Sequence, residues 1–388
     1  MINLTSLFST KEDPLRYTKE CKKTLSGVKV GVGPVIAWNI TNKCNYRCKH
    51  CYSKASFIGD EKELTTNEAE RVIDDLFKIN VPVILFSGGE PLLRSDIFHL
   101  IQYARDKNIR VCLSTNGSLI DRKMAIRIKK ADISYVGISI DGIGSINDQF
   151  RGIKGAYLKS VAAVENCHEV GQKVGLRFTL QKKNFTQVAK ILDLLDRMEA
   201  NRICFYHLVP SGRGEEIYNE ALSGEETRVV MDLLYQYIIS NDCIGKKAKE
   251  ILTVDNHCDG VYLYLKAKKY LPPEKANRIY RLLSYNGGNR SGIAIANIDS
   301  QGNVFADQFS KAFNLGNVKK NLFSEIWEGS NLLKELRDRK GRLKGKCNFC
   351  SWLNLCNGNL RARAYGVYKD FWEEDPGCYL TEQEISEG

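Results

Sequence analysis

Six times before residue 250 a short apolar run leads into a stretch with apolar residues at helical spacing, the pattern of a parallel sheet wrapped by helices. The strands read Val35–Ile40, Val81–Phe86, Arg110–Ser114, Ser134–Ile140, Lys173–Leu180 and Arg202–Leu208. Helices are expected at Thr65–Ile79, Ser95–Lys107, Leu119–Lys130, Ala156–Val170 and Val188–Met198. The first of them places Ala69, Val72, Ile73, Leu76 and Phe77 on its apolar face behind a Thr65/Glu68 capping box. Small and branched residues line one sheet face, which favours an α/β fold with an open, partial (βα)6 TIM-like barrel over a flat doubly wound sheet.

In such a barrel, functional groups collect at the C-terminal ends of the strands. Here those ends carry a cysteine loop, Gly88-Gly89-Glu90, Ser114-Thr115-Asn116, Ser139-Ile140-Asp141, the neighbourhood of Arg177 and Thr179, and Tyr206-His207. The loop is the most specific of them: Cys44, Cys48 and Cys51 form C-x3-C-x2-C. Three thiolates on one loop suit three irons of a 4Fe–4S cubane and leave the fourth iron open for a cofactor. A structural zinc would need a fourth ligand, and only His50, cramped between Lys49 and Cys51, is near. Gly88 and Gly89 would let the backbone approach a ligand closely, with Glu90 placed to accept from an ammonium.

The chain, at 388 residues, is long enough for two or three domains, and its 43% apolar content is ordinary for a globular protein. No apolar run approaches the roughly 20 residues that span a bilayer, and Met1 to Val30 lacks a signal-peptide apolar core, so no membrane association and a cytoplasmic location are expected. Thirteen cysteines then argue for metal ligation and free thiols, with Cys21, Cys112, Cys167, Cys204 and Cys243 lacking ligand spacing. The net charge of +11 favours acidic partners, but Lys and Arg are dispersed and no nucleic-acid module is present, so a nucleic-acid partner is not expected.

These residues resemble the radical S-adenosylmethionine superfamily, in the cysteine loop with Tyr52 behind it and in Ser87 to Glu90. The resemblance implies S-adenosylmethionine on the open iron, split by one electron from a donor such as a ferredoxin or flavodoxin. It implies cofactor contacts from Tyr52, Gly88, Gly89, Glu90, Ser114, Asn116, Ser139 and Arg151. A second group, Cys347, Cys350 and Cys356 with Cys378 after twenty-one residues, suits a fully ligated 4Fe–4S cluster or a zinc, and resembles the C-terminal Twitch/SPASM extension. Two 4Fe–4S clusters in all are expected, because the turn Gly302–Asp307 lacks the cysteine that a further cluster would use. Asp307 there reads as a turn cap.

Longer strings, among them Phe205–Gly214, Asn286–Gly292, Asp307–Phe309 and Asp375–Tyr379, resemble the tetrapyrrole-modifying branch of that superfamily. The implied reaction removes acetate side chains from 12,18-didecarboxysiroheme to give iron-coproporphyrin III, in heme biosynthesis. Alternatives are the removal of propionates toward d-type heme, or a Twitch-type peptide maturase. A non-catalytic iron–sulfur carrier would need no Gly-Gly-Glu turn. A flat, polycarboxylate substrate calls for basic walls, and Arg213, Arg290, Arg361 and Arg363 are the candidates. His207 is a candidate catalytic acid, base or axial ligand, with a structural role equally open, and His257 and Cys258 could face the same cavity. The expected division is an N-terminal extension with one short helix (1–30), the barrel (31–215), a helical linker (216–285) and the cluster domain (286–388).

Overall fold

The computed structural model describes residues 1–9, 16–17, 32–243 and 249–387, with the side chains at 242 and 243 left aside. The expected strands and helices form. The strands are β1 (Ile2–Asn3), β2 (Val35–Asn39), β3 (Val83–Ser87), β4 (Arg110–Thr115), β5 (Tyr135–Ser139), β6 (Val174–Leu180), β7 (Arg202–His207), β8 (Glu250–Val254), β9 (Ile295–Ile298), β10 (Asn303–Phe305) and β11 (Gly316–Asn317). They make one open sheet in the order β1-β8-β7-β6-β5-β4-β3-β2-β9-β10-β11. β2 to β9 all run parallel, while β1 pairs antiparallel with β8, β10 with β9, and β11 with β10.

Two further parallel strands extend the expected six. β8 falls in the stretch expected to be a helical linker, between helices Gly224–Cys243 and Cys258–Tyr270. β9 belongs to the C-terminal region, yet it pairs in parallel with β2, so the barrel sheet runs on into that region. The start of the chain carries the expected short helix, with a strand before it. β1 caps the β8 edge, and helix Leu4–Phe8 buries Leu4 and Leu7 completely while Asn3 caps it through Ser6 N. An uncovered edge would leave a row of unpaired backbone groups, and β1 covers that of β8 at Leu252 and Thr253. Residues 10–15 and 18–30 of the expected extension, with Cys21, lie outside the described residues, as does the Cys243 side chain.

Side-chain period explains most of the core. Helix Thr66–Lys78 starts on the expected capping box and buries Ala69, Val72, Ile73 and Leu76. Phe77, expected on that face, is instead 48% exposed, with the Lys107 ammonium over its ring at 5.6 Å. Asp75 on the same helix is buried and accepts from the Ser324 backbone and hydroxyl, both at 2.9 Å, which docks helix Phe323–Gly329 onto the barrel. Inside the sheet Trp38, Phe86, Phe178 and Phe205 are fully buried.

Candidate functional site

The strand ends stand level, since Asn39 pairs with Ser87, Ser139 with Arg177, and Leu180 with His207. The cysteine loop lies across one side of this mouth. Its backbone is pinned by Cys44 N to Ser56 O (2.7 Å), Gly89 N to Thr41 O (2.7 Å) and Glu90 N to Lys43 O (2.8 Å). A Cβ on Gly88 would run into the Thr41 carbonyl, and one on Gly89 into that of Lys43. The two glycines therefore admit the cysteine loop at this distance.

Glu90 is the next residue of this turn. It is fully buried; Oε1 accepts from Leu92 N (3.1 Å) and Thr115 Oγ1 (2.8 Å), and Oε2 from Asn116 N (2.8 Å) and the same hydroxyl (2.9 Å). The single Thr115 hydroxyl hydrogen is shared between the two oxygens, so with the two backbone N–H groups the carboxylate clamps the ends of β3 and β4. Burial raises its carboxyl to about 7 against the pull of those donors.

Each loop sulfur has a donor beside it. Cys44 Sγ accepts from Tyr46 N at 3.4 Å and Asn116 Nδ2 at 4.0 Å, Cys48 Sγ from Arg151 Nη1 at 3.6 Å, and Cys51 Sγ lies 3.3 Å from Ser53 Oγ. Burial pushes the Cys44 thiol up to about 12 and raises Cys48, so these thiols stay protonated until a metal displaces the proton. Donors aimed at sulfur fit a thiolate-bound cluster. His50 stacks on Phe150 (ring centroids 4.4 Å apart), and among the described residues no three His, Cys, Asp or Glu side chains gather as a single-ion site.

Arg151 is buried in an ion pair with Asp141, whose Oδ1 accepts from Thr179 N at 2.6 Å. Arg151 thus acts on the site through Cys48 and Asp141. Asn116 bonds Asn45 Oδ1 at 2.9 Å, and both its carbonyl and that of Ser139 accept from Ser160 Oγ at 3.1 Å. Ser114 sits on β4 across from Gly137 of β5. Tyr52 accepts from Asn39 Nδ2 at 2.9 Å and meets Phe309 edge-on at 5.4 Å.

Beyond the loop opens a cavity of about 310 Å³. Asn39, Tyr52 and Ser53 form its barrel wall, Phe309 to Phe313 and Tyr365 its C-terminal wall. Of the four expected arginines, three are turned elsewhere. Arg213 donates to the carbonyls of Cys48 (2.8 Å) and Ala55 (3.0 Å) and so buttresses the cysteine loop. Arg361 donates to the Phe371, Glu373 and Gly358 carbonyls, and Arg363 to Asp375 and the Asp255 carbonyl. Arg290 does not line the cavity. Sequence pattern cannot tell an arginine that satisfies buried carbonyls from one that waits for a ligand. Lys311, overlooked in the sequence, does line the cavity; its only cue was its place two residues past the Asp307–Phe309 string.

His207 lies outside that lining. Its Nε2 bonds Asp259 Oδ2 at 2.9 Å, and Tyr379 donates to the other oxygen at 2.9 Å, a buried link from barrel to C-terminal region. Of its two open roles the structural one is what the geometry displays. His257 meets the Met1 amino group at 2.9 Å, away from the cavity. Asp307 caps its turn as expected, accepting from Phe309 N and Ser310 N at 2.9 Å each.

Cys347, Cys350, Cys356 and Cys378 converge on a second, narrow pocket, walled also by Trp352, Leu353, Leu380 and Ile385. The Asn286-Gly-Gly-Asn string straps this group to the barrel through Asn289 N to Cys356 O (3.0 Å), and Gly288, at φ +69°, is pressed on that carbonyl. Cys258, fully buried, is a fifth thiol in the wall, donating to Asn256 Oδ1 at 2.9 Å. Among the described residues no helix is long and apolar enough to cross a membrane.

Known proteins place these features. The Radical SAM superfamily pattern matches residues 38–195, and an iron-sulfur cluster-binding domain, SPASM, matches 292–351. Fe-coproporphyrin III synthase of Methanosarcina barkeri is 47% identical across 99% of both chains. Pre-heme d1 synthase of Dinoroseobacter shibae is 41% identical over 90% of this chain and 87% of its own. Among solved structures, Streptococcus suis SuiB bound to S-adenosylmethionine superposes with a TM-score of 0.70, at 17% identity over 90% of this chain and 78% of that one, a likeness of fold alone.

Proposed function

Because the chain belongs to the radical SAM superfamily, with a SPASM-type iron–sulfur region behind the barrel, we propose that it removes the acetate side chains of 12,18-didecarboxysiroheme to give iron-coproporphyrin III in heme biosynthesis. The observation that carries this reading is the 47% identity along the whole length to a protein named for that product. Cys44, Cys48 and Cys51 would hold one 4Fe–4S cluster, and Cys347, Cys350, Cys356 and Cys378 the other. When bound, cluster and S-adenosylmethionine supply a one-electron cleavage of the sulfonium and an adenosyl carbon radical that abstracts hydrogen.

The chain's own residues do the placing. Glu90, Thr115 and Asn116 fix the strand ends around the cofactor, and Arg151 and Arg213 hold the loop from two sides. Tyr52, Ser114 and Ser139, at or near the ends of β4 and β5 and behind the cysteine loop, are the residues we assign to the ribose and methionine. Aromatic side chains at Phe309, Phe313 and Tyr365 give a flat ring apolar walls and keep water from the radical. A small ferredoxin or flavodoxin would deliver the electron, in the cytoplasm.

Anaerobic incubation of reconstituted protein with reductant, S-adenosylmethionine and didecarboxysiroheme, followed by mass spectrometry, tests the reading. Loss of both acetates with formation of 5′-deoxyadenosine is expected. Deoxyadenosine with an unchanged macrocycle overturns the substrate and turns attention to the d-type heme precursor, which the 41% relative favours.

A further inference from the structure

Lys311 is the one lysine of the cavity wall whose ammonium is drawn inward, for Lys54 and Lys369 are exposed. Its Nζ donates to Asn297 Oδ1 at 2.6 Å and lies 4.2 Å from the centroid of the Phe305 ring. Among the described residues it has no ion-pair partner, although Asp299 and Asp307 are near enough to act on its charge. Both aspartates are committed to their own turns: Asp299 accepts from Gln301 N and Asn303 N, and Asp307 Oδ1 from Phe309 N and Ser310 N. The second oxygen of Asp307 is buried and unbonded, yet the ammonium turns from it to the amide of Asn297.

That amide belongs to a relay. Asn297 donates to the Ala37 carbonyl at 2.6 Å and to Asn39 Oδ1 at 2.8 Å, and Asn39 donates to Tyr52 Oη at 2.9 Å. Both carboxamides are held on parallel strands, β9 and β2, so the position of Nζ is fixed relative to the residue that follows Cys51. An ammonium carries three donors, and here one is used by a neutral amide. A desolvated, unpaired cation is costly, and its persistence on a cavity wall points to an anion that joins it from outside the chain. Burial already lowers its pKa to about 8.

We propose that Lys311 binds a peripheral carboxylate of the macrocycle, and that the Asn297–Asn39–Tyr52 relay thereby sets how the substrate sits against the cysteine loop. The proposal rests on the tetrapyrrole reading and replaces the arginines as the source of carboxylate recognition.

The test is titration of the reconstituted holoenzyme with iron-coproporphyrin III, the product of the proposed reaction, followed by its Soret absorbance. Wild type, Lys311→Met and Lys311→Arg are compared, with iron content and far-ultraviolet dichroism as controls of folding. Lys311→Met is expected to weaken binding about tenfold or more, and Lys311→Arg to restore most of it. Raising the pH through about 8 and upward should weaken wild-type binding, because the ammonium that the carboxylate requires is lost, while Lys311→Arg stays flat. Lys311→Arg keeps Asp299, Asp307, Asp60, Glu215, Lys54, Lys369 and Tyr52 in place, so a difference in pH profile isolates the lysine. Equal affinity of wild type and Lys311→Met overturns the proposal. Should that variant misfold, identical pH profiles for wild type and Lys311→Arg overturn it instead. A wild type that binds no tetrapyrrole removes the functional reading together with this residue's role.

Discussion

The two cysteine groups of this chain are built to opposite plans. The first sits on a single loop of eight residues, its sulfurs met by N–H and O–H groups from Tyr46, Asn116, Arg151 and Ser53, beside an open cavity. The second draws its thiols from segments twenty-one residues apart and closes them behind Trp352, Leu353, Leu380 and Ile385. Three thiols with room beside them invite an exogenous ligand; four thiols in an apolar pocket satisfy a cluster and exclude one. Under the proposed function the first group would carry the bond-breaking and the second a supporting part.

The largest expected effect comes from breaking the first site. Cys48→Ala should abolish formation of 5′-deoxyadenosine outright, whereas Cys350→Ala should lose about half of the bound iron and still cleave S-adenosylmethionine in the absence of substrate. Iron analysis together with product quantification checks both, and equal losses of cleavage would erase the distinction between the sites. Next in size, Gly89→Ala drives a Cβ into the Lys43 carbonyl that anchors the cysteine loop. A loss of about 3 kcal/mol in denaturant unfolding, with reduced iron in the first site, is expected. A variant as stable as wild type would mean that the loop shifts freely.

Glu90→Gln probes the clamp below the loop. Its carboxyl is raised to about 7 in the folded chain from an ordinary 4.5, so the folded state holds the extra proton between those values. Wild-type stability should therefore decline from about pH 4.5 to about 7 through this group and level off above. The glutamine variant should have a flatter profile over that window, measured by urea unfolding at a series of pH values. Smallest of all, Cys258→Ala should leave the iron content of the second site unchanged, because four thiols already complete it. A loss of iron there would make Cys258 a ligand and redraw the closed site.

How legible was this in the sequence? The period of the apolar residues yielded six strands and their helices, since each buries a regular face. β8 was hidden because a five-residue strand between long helices has too little pattern of its own, and its pairing with β7 and β1 is purely tertiary. β9 owes its place to a parallel partnership with β2 that joins residues far apart in the chain. In the site, spacing marked both cysteine groups, which the fold keeps on one loop and in one pocket. Spacing was not enough for Glu90, Arg213, Arg361 and Arg363, whose partners are backbone groups that leave no mark in the sequence. Lys311 lacked a motif because its importance arises from burial and from a relay across β9 and β2.

The contrast between an open and a closed cysteine site is tested most directly by electron paramagnetic resonance of two reduced variants, one lacking Cys44, Cys48 and Cys51 and one lacking Cys347 and Cys350, each with and without S-adenosylmethionine. The account predicts that the cofactor changes the spectrum of the variant that keeps the first group and leaves the other spectrum as it was. A spectral change at the second group, or none at the first, would contradict it.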